Sequence, residues 1–367
     1  SPMPILFVCE DNGIGISTKT PRDWVRQSAS LRPALKYFQC SSLDVVDAYA
    51  TTKAAADYVR KCRKPAFLHS QCIRLYGHAG PDAQSAYLSN QEIENTEAQD
   101  PLLHTAGRLI REGVLSQNDV IDRYIKTSER TERAAEQAIK TPRLQTADEV
   151  MDSLIPGSRP CAPVTPPKES TRKTCFGGSD SRALKQPQHM AKLINFALTD
   201  LMLSHEEIIM AGEDIGRKGG VYGVTQRLQQ RFGPLRVIDS LLDEQAILGL
   251  GIGAAHNGLL PIPEIQFLAY VHNAIDQLRG EAASLPFFSN GQYTNPMIVR
   301  IAGLGYQRGF GGHFHNENTV AALRDIPGLI LACPSNGKDA ALMLRECVRL
   351  AREEQRLIVF LEPIALY

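Results

Sequence analysis

Apolar positions along this chain fall into two alternating patterns. Short unbroken runs, PILFV, PAFL, IIMAG, PMIVRIAG, LILAC and RLIVFL, read as strands buried on both faces. Between them, apolar residues recur three and four apart, which reads as amphipathic helix. Strand and helix alternate for most of the length, as expected for α/β architecture with mostly parallel sheets flanked by helices.

In the first part, to about residue 155, PILFVCE reads as a strand. SSLDVVDAYATTKAAADYVRKC reads as a helix capped near Ser42 or Asp44, with Val45, Ala48, Tyr49, Ala56 and Val59 on one face. PAFLHSQCIRL is the next strand, followed by helices at DPLLHTAGRLIREGV and SQNDVIDRYIKTSERTERAAEQAIK; the second is charged enough to lie at the surface. Five prolines fall within the first twelve residues of 156–187, which predicts a linker, extended where they cluster. The second block, 188–367, opens with a helix at 188–204 and the strand EIIMAGED, then a helix near 221–232 and LRVIDS. DEQAILGLGIGAAHNG, LPIPEIQF, PMIVRIAG, a glycine-rich loop, GLILACP, a helix at 337–354 and RLIVFLEP complete it.

Composition narrows the function classes. With 367 residues, 43% of them hydrophobic, two sizeable cores can form. Forty basic and forty acidic residues cancel, which argues against nucleic acid or an anionic membrane as the main partner. No run reaches transmembrane length, and the opening SPMPILFV lacks the basic region of a signal peptide. Eight scattered cysteines with no CxxC pair suggest a reduced, cytoplasmic protein with inert buried thiols.

Five stretches carry candidate chemistry. In CEDNGIGIS, Asn12 offers an amide oxygen at the end of a strand, where open α/β sheets bind ligands; it equally suits an Asx turn. In CIRLYGHAGPDAQSAY, Arg74 suits a phosphate and His78 a proton transfer, or His78 is an exposed loop residue. Glu244 opens a Gly/Ala-rich helix, either as a dipole partner or, in a buried cleft, as a proton-passing acid. Gln266, Phe267 and Tyr270 lie where a strand ends in EIQFLAY. His313 and His315 follow a glycine-rich loop, without a third ligand nearby to make a metal site. No GxGxxG stands between a strand and a helix with an acid further on, so a nicotinamide domain is disfavoured.

Taken in order, these stretches resemble a known family. CEDNGIGIS and RLYGHAGPDAQSAY are similar to the cofactor and active-site loops of the α subunit of thiamine-diphosphate-dependent 2-oxoacid dehydrogenases. GEDIG, DEQAILGLGIGAAHNG, EIQFLAY, the histidine loop, IPGLILACP and FLEP follow in the order of the β subunit. EIQF and FLEP lean toward the branched-chain enzyme. The resemblance implies a fused α–β form of the decarboxylating first component, with two thiamine-diphosphate-binding-fold domains. Residues 1–155 would be the C-terminal part of the diphosphate-binding domain and 188–367 the pyrimidine-binding domain. It further implies Mg²⁺ held by the Asn12 side chain and the Ile14 carbonyl, with His78 near the diphosphate and Arg74 at the base of its loop. Glu244 would bond the aminopyrimidine ring, beside Tyr270 and Gln266, and His315 would serve acyl transfer. Implied partners are a small 2-oxoacid, a lipoyl-bearing acyltransferase and a second copy of the chain, in the cytoplasm or, in a eukaryote, the mitochondrial matrix.

The chain departs from the family pattern in three places. The family's acidic Mg²⁺ ligand belongs some thirty residues before the asparagine, and only eleven residues precede Asn12. A further domain should follow FLEPIALY. Ala79 stands where some relatives carry a phosphorylatable serine. As a central piece of a longer enzyme, this stretch is expected to bind cofactor weakly, if at all, and not to turn over. A transketolase-like ketol transferase and a non-catalytic assembly module are the alternatives.

Overall fold

In a computed structural model, which describes residues 3–164, 166–305 and 312–367, the apolar runs pair side by side in parallel. They do so in two separate units, Ser1–Pro142 and Arg143–Tyr367.

In the first unit, β1 (Leu6–Asp11) leads into a small antiparallel hairpin, β2 (Ile14–Gly15) and β3 (Thr18–Lys19), then α1 (Trp24–Ser30). β4 (Lys36–Ser41), α2 (Val45–Cys62) and β5 (Ala66–Gln71) complete a three-stranded sheet in the order β1-β5-β4. α3 (Asn90–Glu97), α4 (Pro101–Arg111) and α5 (Gln117–Ile139) follow. Asp44 caps α2 by accepting the Val46 and Asp47 N–H groups, as its sequence suggests. The expected apolar face of α2 is only partly a core face. Ala55 and Val59 are buried, whereas Val45 and Tyr49 are 47% and 70% exposed, because one helix on a narrow sheet buries only a thin stripe. Strand β4 escapes sequence reading because LKYFQC mixes polar and apolar residues. Surface helix α5 has no buried residue, in keeping with its charge.

The second unit comprises α6 (Ala147–Asp152), α7 (Glu169–Ala183), α8 (Met190–Ser204), β6 (Ile208–Gly212), α9 (Leu228–Phe232), β7 (Val237–Asp239), α10 (Glu244–His256) and β8 (Leu260–Ile265). After a 3₁₀ turn at Leu268–Ala274 and a π-helical turn at Gln277–Ala283 come α11 (Leu285–Phe288), β9 (Met297–Gly303), α12 (Gly312–His315), α13 (Ala321–Arg324), β10 (Ile330–Ala332), α14 (Gly337–Glu353) and β11 (Leu357–Pro363). The sheet order is β10-β11-β9-β8-β6-β7, with every pair parallel. One face packs Ile194, Leu198 and Met202 of α8 and Leu344 of α14 against Met210, Ile262 and Phe360. The other packs Ile247 and Leu248 of α10 against Val299, Ile301 and Val359. The glycines of α10 allow this approach. A Cβ on Gly251 would stand 2.6 Å from Met297 Sδ. Among the described residues no helix is long and apolar enough to cross a membrane.

Three expectations need correction. The helix near 221–232 is confined to Leu228–Phe232, since Arg227 adopts φ 65°, which stops a helix from starting earlier. The linker 156–187, expected to be extended only where its prolines cluster, folds in its second half into α7. That helix is pinned by Phe176, buried against Phe196, and by Asp180, buried and ion-paired to Lys192 and Arg231. The thiols are not uniformly buried. All eight are free, but Cys62 and Cys333 are exposed; Cys347 is buried, and burial pushes its thiol up to about 12.

Burial alone would raise the Asp180 carboxyl, but the Lys192 and Arg231 hydrogen bonds and charges outweigh it and hold it below the ordinary range. A lowered folded value gives stability that is present above the ordinary carboxylate value and lost as pH falls through the folded one. Asp180→Asn should cost about 3 kcal/mol at neutral pH, since it strands buried cations. That deficit should shrink below about pH 4, as read by urea denaturation of both proteins across pH.

Candidate active site

Each unit presents its own cluster of candidate residues at the carboxyl ends of its strands. In the first, β1 ends at Asp11, whose Oδ1 accepts the Gly13 N–H at 2.9 Å, while Asn12 Oδ1 accepts the Ile14 N–H at 3.1 Å. Asn12 thus closes an Asx turn. Buried His69 on β5 bonds the other Asp11 oxygen through Nε2 at 2.9 Å and Tyr37 through Nδ1 at 2.6 Å. Asn12, Ile14 and Arg74 line one cavity of about 400 Å³. Arg74 Nη2 donates to Tyr87 at 2.8 Å, and Tyr87 donates to Asp82; Arg74 Nε is buried without a partner. His78 is not among the residues lining this cavity. It lies exposed in the next loop, where its backbone N–H donates to Asp82 Oδ2 at 2.6 Å. That loop is tight at Gly77, where a Cβ would collide with the Asp82 carbonyl.

In the second unit, Glu244 is the first residue of α10 and only 4% exposed. Asn273, in the 3₁₀ turn that also carries Tyr270, donates to its Oε2 at 3.2 Å. His315 stands edge-on to Phe267 at 4.5 Å between ring centroids, and to Tyr270 at 6.2 Å. The structure therefore joins Glu244, Tyr270 and His315 through one turn. Residues 306–311 of the glycine-rich loop before His315 lie outside the described residues.

Gln266 lies elsewhere, against a buried ionic triad. Arg300, 1% exposed, donates through Nη1 to Glu264 at 2.7 Å and through Nε and Nη2 to Glu362 at 2.6 and 2.9 Å. Tyr367 also donates to Glu362. The cavity shared by Gln266 and this triad is about 10 Å³, room for about one water.

Sequence reasoning passed over Glu213, Glu264, Arg300 and Glu362. The signal was charge inside runs predicted to be buried, in LPIPEI, MIVRIAG and IVFLEP. Burial first, then the charges of Glu244, Asp214 and Glu264, push the Glu213 carboxyl up; its Oε1 is buried and unpartnered. Burial likewise raises Glu264, against the pull of Arg300.

This arrangement, a buried carboxylate opening a helix beside aromatic rings, belongs to a class the comparisons identify. Residues 186–367 match the family described as transketolase, pyrimidine binding domain, and residues 1–147 match dehydrogenase E1 component. The second block is similar to 2-oxoisovalerate dehydrogenase subunit beta of Bacillus subtilis, 39% identical over 42% of this chain and 47% of the relative. It is also similar to the protein of that name from Pseudomonas aeruginosa, 38% identical over 46% and 47%. Pyruvate dehydrogenase E1 component subunit beta of Acholeplasma laidlawii is 36% identical over 48% and 53%. The chain belongs to the thiamine-diphosphate-dependent 2-oxoacid dehydrogenase E1 family, and spans about half the length of the curated relatives it matches.

The residues of the second unit fit the planar end of such a cofactor: a buried acid, an orphaned carboxylate oxygen on Glu213, and aromatic rings packed edge to face. In the first, Asn12 Oδ1 and the Ile14 carbonyl are hard oxygens suited in kind to Mg²⁺, which ordinarily takes one or two carboxylates and phosphate oxygens besides. Among the described residues no group of three His, Cys, Asp or Glu is arranged for a metal.

Two outcomes follow. Arg300→Met should destabilise the second unit by about 3–5 kcal/mol, because it strands two buried carboxylates. Adding Glu264→Gln and Glu362→Gln should recover part of this loss in the same denaturation assay. For Glu213, a raised folded value means that its favourable contribution exists below the ordinary glutamate value and is lost as pH rises through the folded one. Glu213→Gln should match the wild type in Tm near pH 4 and exceed it at pH 7–8.

Proposed function

We propose that the full-length protein catalyses thiamine-diphosphate-dependent oxidative decarboxylation of a 2-oxoacid and passes the acyl group to the lipoyl arm of a partner acyltransferase. The observation that carries this reading is the Glu244–Asn273 contact, which fixes a buried acid to the turn bearing Tyr270. A branched-chain substrate is favoured, since the 2-oxoisovalerate relatives match at 39% and 38% against 36% for the pyruvate one.

Bound thiamine diphosphate would supply an electron sink for loss of the carboxylate. Glu244 holds a proton at a ring nitrogen, and burial in a low-dielectric pocket strengthens that hydrogen bond. Tyr270 gives the ring an aromatic neighbour, and Asn273 keeps the Glu244 carboxylate from rotating. Gln266, which lines the small cavity of the triad rather than this cluster, would act only from the strand end. Asn12 and Ile14 would hold Mg²⁺, with Arg74 countering phosphate charge. His315 and His78 serve the acyl transfer. A dimer or larger cytoplasmic assembly of the fused chain completes the reading.

The test uses full-length protein with 3-methyl-2-oxobutanoate or pyruvate and an artificial electron acceptor. Turnover should require thiamine diphosphate and Mg²⁺, and Glu244→Gln should lower kcat by about 10²–10⁴-fold without lowering Tm. Turnover that ignores the cofactor would reject the reading.

A further inference from the structure

Residues 148–185 lie outside both family matches, yet they are not a bare tether. Within them, α7 packs on α8, kinks at Gly177 and is held down by Asp180, which meets Lys192 and Arg231 and lies 3.9 Å from Arg227. Phe176 lies under two guanidiniums, Arg172 at 4.9 Å and Arg231 at 5.6 Å. This added segment roofs a cleft of about 950 Å³ over the end of α8 and over α9. The volume suits a ligand of nucleotide size.

The lining of the cleft is basic on balance. Arg227, Arg231 and Arg236 line it against one lining carboxylate, Glu206, with Arg231 itself ion-paired to Asp180. The segment 168–185 itself carries five basic residues and two acidic ones. Arg231 and Arg236 are anchored, the first on Asp180 and Thr199, the second on the Ile208 and His205 carbonyls. Arg227 is different: half exposed, with one hydrogen bond to Ser179 at 3.0 Å, and held at a left-handed φ of 65°. The hydroxyl of Thr171 adds a polar group to this wall, Thr174 donating its own to the Ser170 carbonyl, and Cys175 lies beside them.

We propose that this cleft binds a nucleotide-sized phosphate ester, with Arg227 as the guanidinium that meets the phosphate. Guanidiniums match phosphate oxygens in a two-pronged geometry, and the apolar side of the cleft, Leu203 and Phe232, receives the organic body. The site is separate from the Glu244 cluster and independent of the activity proposed above.

The experiment titrates the full-length protein with ADP, ribose 5-phosphate and inorganic phosphate by calorimetry at constant ionic strength. ADP should bind saturably with Kd at or below about 1 mM, ribose 5-phosphate more weakly and phosphate most weakly. Arg227→Gln, exposed enough to leave Tm unchanged, should weaken ADP at least about tenfold. Independently, ADP should slow alkylation of Cys175 by iodoacetamide in the wild type and leave Cys161 unaffected, as read by mass spectrometry. No saturable binding of any probe would overturn the proposal. So would ADP binding that neither protects Cys175 nor responds to Arg227→Gln. Protection of Cys175 with unchanged affinity in Arg227→Gln would overturn the assignment of phosphate to that guanidinium.

Discussion

The bidentate pairing of Arg300 with Glu362, closed on the other side by Glu264, sets the geometry on which the second unit depends. The three residues come from β9, β11 and β8, adjacent in the sheet, with Glu264 directly opposite Arg300 in register. Removing three charges from water costs several kcal/mol per ion, and the Coulombic return rarely exceeds it by much. The triad is therefore a poor source of stability. Its effect is on specificity. A one-residue slip of any of the three strands would point a charge to the opposite face and leave its partners unpaired. The strand ends are thereby fixed where the 268–274 turn departs toward Glu244, which its Asn273 meets.

That arrangement has an electrostatic cost. One guanidinium serves two carboxylates, and Glu213, Asp214 and Glu244 add negative charge nearby. The upward shifts of Glu213 and Glu264 express this crowding, with burial as the larger part. Strained electrostatics of this kind gather where chemistry is done, and here they surround the acid that the family resemblance singles out.

The regular elements were legible because burial writes itself into the sequence. The runs that became β1, β5, β6, β8, β9 and β11 are mostly apolar, interrupted in β8, β9 and β11 by the charges of the triad, and α8, α10 and α14 lie where their periodicity placed them. Illegible were elements whose residues are stabilised from elsewhere. The α7 segment, rich in Ser, Lys and Gly, has weak helical character of its own and is ordered by Asp180 and Phe176 meeting α8 and α9. Glu244, Tyr270 and His315 were chosen in separate motifs, and the turn that joins them shows only in three dimensions. Asn12 illustrates the opposite case. Of its two sequence readings the structure shows the Asx turn, which spends one lone pair of the amide oxygen and leaves another.

The first unit shows how such a loop is kept in shape. His69 is almost wholly buried on a sheet face, where an apolar residue would be the ordinary choice, and it is anchored by Tyr37 on one ring nitrogen. Its other nitrogen fixes Asp11, whose free oxygen ties down Gly13, so the conformation of residues 12–14 is dictated from the interior of the sheet rather than by the loop itself. A glycine-containing turn left to its own entropy would sample many conformers and hold no oxygen donor still. Placing the rigidity one layer below, in strands β1, β4 and β5, lets the loop residues remain small and open to a ligand while their geometry is set from buried His69 through its two partners.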